Sequence, residues 1–525
     1  MERSSRSTSL LIPSSLALAA GILFLGFGVD RTAFWEVLLG FSLAFVGYAG
    51  LLSQENILHL WKSPKTTPPP LSPNWGNYPF TSLQVIILIG VVLRLLLVFA
   101  FPLLSDDIYR FIWDGHLIRA GINPFSELPA YYLEAGRSVP GLTPLLYDQL
   151  NSPDYYTIYP PVAQATFTLA TVISPNSWYG AAIVMKVILF AAEMGTLWLL
   201  WRLLPAFGLP RNFLLFYWLN PLIIIEITGN LHFEGAMVFC LLLALYFLQR
   251  AGVLSRLQSS QAIEDSQPSA MHPGNLSPKE GERKVLPSQG KELVKAAGAF
   301  ALSVASKLLP LMFLPFLIVR LWRGRWGRPF WIFSVTFGVF TLLLFLPLLT
   351  SGFLTGFGSS LDLYFRKFEF NASLYYLARA YGYYEIGWNQ IARFGPLLAK
   401  LAVVSILVYA AWEARRWWTT SPTNPKRPSN APLPTAWMFA FTIYLFCATT
   451  VHPWYLSLPI VLCCFGYFRY PLVWSFFIVL TYTSYTSVPY QENLWLVALE
   501  YLEVGLLLIV ELRRKRSKKR IPLNT

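Results

Sequence analysis

The chain has 525 residues, 55% of them hydrophobic and only 13% charged, where soluble domains carry about 25% charged residues. That balance excludes an ordinary soluble enzyme and predicts an α-helical protein that crosses a bilayer many times. The formal charge of +14 does not imply nucleic acid, because the basic clusters fall between apolar runs and in residues 513–520, the pattern of the positive-inside rule.

Two apolar runs, 9–29 and 33–53, open the chain. Arg3, Arg6 and Ala17-Leu18-Ala19 imitate a signal peptide, but the hydrophobicity continues through Val29, so the first run is read as an uncleaved span. A linker at 54–80 carries Lys62 and Lys65. Further spans are predicted at 81–103, 179–201, 212–229, 234–250, 329–350, 396–412, 436–450, 454–468, 471–488 and 493–512. Placing Lys and Arg inside puts both termini, the linker, the polar loop 251–295 and the tail 513–525 in the cytoplasm. The loops 104–178 and 351–395 then lie on the outer face. Residues 251–295 and 419–434 are rich in Ser, Pro and other polar residues and read as disordered linkers.

Two stretches break the regular pattern. Residues 161–175 are apolar but short and follow Pro160-Pro161, which predicts a juxtamembrane helix against the outer face. Residues 296–320 have cationic flanks on both sides and contain Pro310 and Pro315, which predicts two half-helices turning near Lys307. Non-helical backbone at that depth is tolerated where it lines a protein-enclosed cavity. The chain thus divides into two N-terminal spans (1–53), the linker, a core at 81–250, the polar loop, a bundle at 296–512 and the basic tail.

Chemistry concentrates in the first outer loop. Ser105 to Gly115 places Asp106, Asp107 and Asp114 at the exit of a span, where ionisable groups are costly and usually kept for function. Ser105 is positioned to cap a short helix, and Asp106, Arg110 and Asp114 then share one face. On this reading Arg110 holds one carboxylate ionised while a neighbour acts as base. A capped, salt-bridged surface helix is the plain alternative. His232 and Glu234 occupy a short outer turn, as a phosphate contact and a sugar-hydroxyl contact, or else as polar caps of two helix ends. Lys307 and His452 are further candidate phosphate contacts, with snorkelling and interfacial packing as their plain alternatives. Arg366 and Arg379 offer guanidinium forks suited to phosphate oxygens, although most loop arginines are simply solvated. Lys186 and Glu193, two turns apart on one helix, read as an intramembrane pair or as separate polar contacts. Cys240, Cys447, Cys463 and Cys464 all lie inside apolar runs, which suggests neither disulfides nor zinc. No metal or other cofactor is expected; a divalent ion on Asp106 and Asp107 is the weaker alternative.

Ser105-Asp106, Tyr109, Asp114, Asn123-Pro124-Phe125 and Tyr159-Pro160-Pro161 resemble, in order and spacing, the first outer loop of GT-C superfamily membrane glycosyltransferases. The closest resemblance is to polyprenol-phosphate-mannose-dependent mannosyltransferases of bacteria and the eukaryotic enzyme that adds the first mannose to GPI anchors. That family carries its second acid two residues after its first, whereas here Ile108 stands there and Asp107 follows Asp106 directly. The resemblance implies a GT-C-like, all-α bundle of about 12–14 transmembrane helices whose large first outer loop bears juxtamembrane helices. It also implies an inverting sugar transfer from a polyprenyl-phosphate donor to a lipid or glycan acceptor, in a bacterial inner membrane. The base role is carried to Asp106 with Asp107 as its rival, and Tyr159 and Asp114 join the substrate-binding set. A transporter or lipid flippase is the competing reading.

Overall fold

The computed structural model describes residues 10–55, 57, 82–254, 287–322, 327–350, 352–419, 433–487 and 490–518. They are overwhelmingly helical, with one isolated parallel bridge between Phe370 and Thr450 and no strand among the described residues. This is an all-α polytopic membrane protein. Four described helices, Phe34–Gln54, Trp178–Ala206, Arg328–Leu348 and Ile391–Trp417, are long and apolar enough to span a bilayer. A bent pair, Arg211–Trp218 and Pro221–Gly229, makes a fifth, and six apolar helices are shorter.

The N-terminal hairpin joins α1 (Leu11–Phe27) to α2 (Phe34–Gln54). Asp30 forms the turn by accepting from the Thr32 backbone at 2.9 Å and the Thr32 hydroxyl at 2.6 Å, an Asx turn that reverses the chain. The two helices meet backbone to backbone: a Cβ on Gly47 would lie 2.3 Å from the Leu18 nitrogen.

The next span, α3 (Ser82–Leu97), carries Arg94, fully buried. Arg94 pairs with Glu193 at 3.1 Å and donates to the Trp218 carbonyl, while Tyr217 donates to the same glutamate. Lys186, one face of α6 (Trp178–Ala206) away, instead caps the unwound end of α3 by donating to the carbonyls of Leu97 and Ala100. Lys186 and Glu193 are therefore not a pair with each other: each finds its partner on another element. The unpaired charge each would otherwise leave in hydrocarbon is what makes such contacts obligatory.

Within the loop 104–178, α4 (Asp107–Arg119) packs on α5 (Pro161–Ile173), and both rest on α6. Phe111 stacks on Phe167 with centroids 4.4 Å apart, and Phe233 meets both rings edge-on. Gly115 permits this approach, because a Cβ there would lie 2.5 Å from the Phe167 carbonyl oxygen. These residues form an apolar cluster separate from the main bundle core, so the loop is a packed substructure.

After the bent pair, whose break at Asn220-Pro221 is fixed by Asn220 on the Leu222 nitrogen, the chain passes through a π-helical turn (Ile224–Gly229) into α7 (Glu234–Arg250). Between them Leu231 takes the left-handed φ of 64°. Then α8 (Pro287–Ser306) ends at Lys307, a tight turn spans Leu309–Phe313, and α9 (Leu314–Leu321) completes the broken span. The predicted break near Lys307 is present. Because α8 begins at Pro287, the segment expected to be unstructured to 295 is helical over its last residues, while 255–286 lie outside the described residues. So do most of the 54–80 linker and nearly all of 419–434. Past α10 (Arg328–Phe345), the second long loop, 351–395, folds in its described residues as α11 (Phe353–Arg366) and α12 (Leu374–Ile386). The helices α13 (Ile391–Thr419), α14 (Leu433–Cys447), α15 (Ser457–Cys463), α16 (Tyr470–Phe477) and α17 (Leu494–Lys518) complete the bundle. The two loops are tied together: Ser360 donates to the carbonyls of Tyr156 and Thr157, and Asn123 to that of Leu348 at the end of the span before the second loop.

Candidate active site

A cavity of about 780 Å³ opens where the loops 104–178 and 351–395 meet the bundle. Asp106, Asp107, Arg110, Tyr159, Lys307 and His452 line it, so six of the residues singled out in the sequence share one wall. Asp106 occupies the cap position of α4 but makes no cap hydrogen bond, and Asp107 is the first helical residue. The Ser105 hydroxyl lies 3.4 Å from the Asp107 nitrogen, a long contact for a cap. Both carboxylates are thereby left for other partners.

Asn151 joins them, donating to Asp106 at 3.0 Å and to Asp107 at 2.7 Å. The other Asp106 oxygen is held by Arg31 at 2.6 Å, and the Arg31 guanidinium lies over the Tyr485 ring. The other Asp107 oxygen accepts from the Tyr159 hydroxyl at 3.1 Å and lies 3.9 Å from His232 Nε2. The two acids are thus distinguished by partner: a full cation on Asp106, a phenol on Asp107. Their side chains keep 26% and 19% exposure, which leaves both accessible from the cavity.

Five predicted contacts do not line the cavity. Asp114 is fully buried and accepts from Arg110, Gln164 and the Thr157 hydroxyl. Arg110 also donates to the carbonyls of Ser152 and Tyr155. The Arg110–Asp114 pair therefore fastens the loop behind the acids: Asp114 does not reach the cavity, and the guanidinium of Arg110 is already taken up by Asp114 and two carbonyls. His232 is buried rather than presented to a phosphate. Glu234 is fully buried against Lys307, so it has no access to a sugar hydroxyl. Arg366 pairs with Asp362 at 3.4 Å on an exposed turn of α11, and Arg379 pairs with Glu369. The loop 351–395 engages these arginines with its own acids. Lys307 does face the cavity, with its ammonium shared between Glu234 and the Tyr455 ring.

The sequence reading missed Arg31. Its signal was position: on the orientation expected from the Lys and Arg distribution, a lone arginine in the turn of the first hairpin runs against the positive-inside bias. Asn151, Tyr485 and Tyr490, which also line the cavity, carried no such signal.

An indole separates two imidazoles at the inner edge. Trp454 stacks on His232 at 3.7 Å and on His452 at 4.4 Å, and His452 reaches Phe370 at 4.7 Å. Burial, then the positive Lys307 and His232, pushes His452 down to about 3, so it faces the cavity as a neutral ring. Burial also opposes charge on His232, but the hydrogen bond and charge of Glu226, then Glu234 and Asp107, outweigh it and raise its pKa. Away from the acids the wall turns apolar, through Leu308, Leu309, Met312, Ala399, Ala402 and Ala448. Among the described residues no group of three or more His, Cys, Asp and Glu side chains is placed to hold a metal ion.

Residues 70–323 match the family model of the alpha-(1->6)-mannopyranosyltransferase N-terminal domain, and residues 280–428 match that of glycosyltransferase family 87. A relative, alpha-(1->6)-mannopyranosyltransferase A of Corynebacterium glutamicum, is 30% identical over 146 residues, 27% of this chain and 28% of the relative. The chain thus spans little more than a quarter of that relative's length. No solved structure matches. Together these matches support a GT-C glycosyltransferase.

Proposed function

We propose that the protein is an inverting mannosyltransferase that moves a sugar from a polyprenyl-phosphate donor to a hydroxyl of a lipid or glycan acceptor. The observation that carries this reading is that an acid pair, a cation and an apolar wall share one cavity. A lipid-linked sugar phosphate needs all three: hydrocarbon surface for the chain, positive charge for the phosphate, and a base for the incoming hydroxyl. We assign the base to Asp107, because Asp106 is held by the Arg31 cation whereas the hydrogen-bond partners of Asp107 are the neutral Asn151 and Tyr159, and Asp106 becomes the residue that positions Arg31. The acceptor oxygen attacks the anomeric carbon and its proton passes to Asp107. The bond from that carbon to the phosphate oxygen breaks, and its electron pair leaves with the lipid phosphate, facing Arg31 and Lys307. One carboxylate suffices, unlike the two of retaining glycosidases.

The lysine and arginine distribution supports a cytoplasmic N- and C-terminus with the cavity on the outer face of a bacterial inner membrane. The reaction is proposed to need no metal, and activity is expected to survive EDTA. The test is transfer by the purified protein from radiolabelled polyprenyl-phosphate mannose. Asp107→Asn is expected to lose about 10²- to 10⁴-fold, the usual worth of a general base, while Asp154→Asn, exposed on the same loop, stays near wild type. A transporter would move lipid without forming a glycosidic bond, so the same assay separates the two readings.

A further inference from the structure

His232 is held as few surface-turn histidines are. Its Nδ1 lies 2.8 Å from the Glu226 carbonyl oxygen and 3.1 Å from a Glu226 carboxylate oxygen. Both are acceptors only, so Nδ1 carries a hydrogen in every protonation state. The titrating nitrogen is therefore Nε2. That atom is buried without a hydrogen-bond partner and lies 3.9 Å from Asp107 Oδ2. The ring is fixed by its stack on Trp454. An orphaned polar atom in a buried, clamped ring costs free energy, and here it faces the carboxylate assigned as base.

We propose that His232 is a positioning residue that acts through Asp107: its Nε2 takes over the proton that Asp107 accepts from the acceptor hydroxyl, with Glu226 holding the resulting imidazolium. The proposal rests on the reading of Asp107 as base. The balance is simple. The acceptor O–H bond breaks and an Asp107 O–H bond forms; that proton then moves to Nε2, and Asp107 returns to a carboxylate. When product leaves, the proton goes back through Asp107 to water in the cavity. No oxidant, metal or third reactant enters.

The geometry of the surroundings fits this role. Glu226 sits on the π-helical turn, an irregularity often found at functional sites, and accepts from the Tyr482 hydroxyl at 2.5 Å. The left-handed Leu231 beside it bends the chain back toward Glu226, a conformation that a branched-chain residue adopts only under constraint. The charged groups facing His232 are Glu226, Glu234 on α7 and Asp107 on α4. Lys307 offsets Glu234, and the neutral His452 lies beyond Trp454.

Turnover then requires His232 to be uncharged at Nε2, so kcat falls as pH drops through its raised pKa. The experiment is the pH profile of kcat and donor KM for wild type, Glu226→Gln, Glu226→Asp and His232→Gln, with folding checked by thermal melting in detergent. Glu226→Gln is expected to move the acid limb of kcat downward by about a pH unit, with donor KM within about twofold. Glu226→Asp keeps the charge and keeps the limb. His232→Gln abolishes the limb and lowers kcat about tenfold. A Glu226→Gln limb that coincides with wild type, or a wild type with no limb near neutrality, overturns the proposal. Wild-type turnover in Asp107→Asn overturns the base assignment instead, so the two failures are distinguishable.

Discussion

Arg31 decides how the acid pair is presented. In the free protein it neutralises Asp106, and it is half-exposed to the cavity. On the proposed function an entering phosphate competes for the same guanidinium, so Arg31→Gln is expected to lower kcat/KM for donor about 10- to 100-fold, the worth of a charge-assisted hydrogen bond of about 1.5–3 kcal/mol, chiefly through KM. The two histidines flanking Trp454 titrate in opposite senses. The unfolded chain protonates His452 near the ordinary 6.5, whereas the folded chain holds it to about 3. Between those values acid favours unfolding, by about 1.4 kcal/mol per pH unit. His452→Gln should therefore flatten the acid-side loss of melting temperature, measured in detergent from pH 7 to 5. At this scale the sequence was legible where residues clustered: Asp106, Asp107, Tyr159, Lys307 and His452 reach the cavity. It misled where a charge had a local partner. Arg366, Arg379 and Asp114 carry the right chemistry, but Asp362, Glu369 and Arg110 absorb it, and such pairings depend on side-chain directions that spacing does not reveal.

Among the elements, α4 is the one whose placement sets the chemistry. Its seat on α5 depends on Gly115, where backbone meets backbone. Gly115→Val is expected to destabilise the protein by about 1–3 kcal/mol through overpacking and to displace both aspartates, seen as a lower melting temperature and lost transfer together. The broken span around Lys307 was readable because two independent signals agreed, cationic flanks on both sides and prolines within. The bend of 55° at Asn220-Pro221 was not read, although the Asn-Pro pair marks a turn, because the apolar residues on its two sides together have the length of one span. Nor was the pairing of Arg94 with Glu193: an arginine in mid-span announces that it has a partner without saying which helix supplies it.

For the whole molecule, orientation is the most direct check. Ala270→Cys is expected to react only with membrane-permeant reagents, against a low background because Cys240, Cys447, Cys463 and Cys464 are all buried. Labelling by an impermeant reagent from outside would reverse the topology. The class of protein was legible from apolar runs and charge placement, which report the bilayer directly; the closure of the cavity was not, because it joins residues hundreds of positions apart. Arg31 precedes both family matches, and His452, Trp454 and Tyr485 follow them. The segment that matches the two family models contains the acids and His232, but neither the Arg31 guanidinium nor the Trp454 and His452 rings stacked beside them. A chimera that grafts residues 70–428 into a homologous scaffold would thus carry Asp106 and Asp107 without Arg31, Trp454 or Tyr485, and on the proposed function its preference among donors is expected to follow the protein that supplies the two flanks.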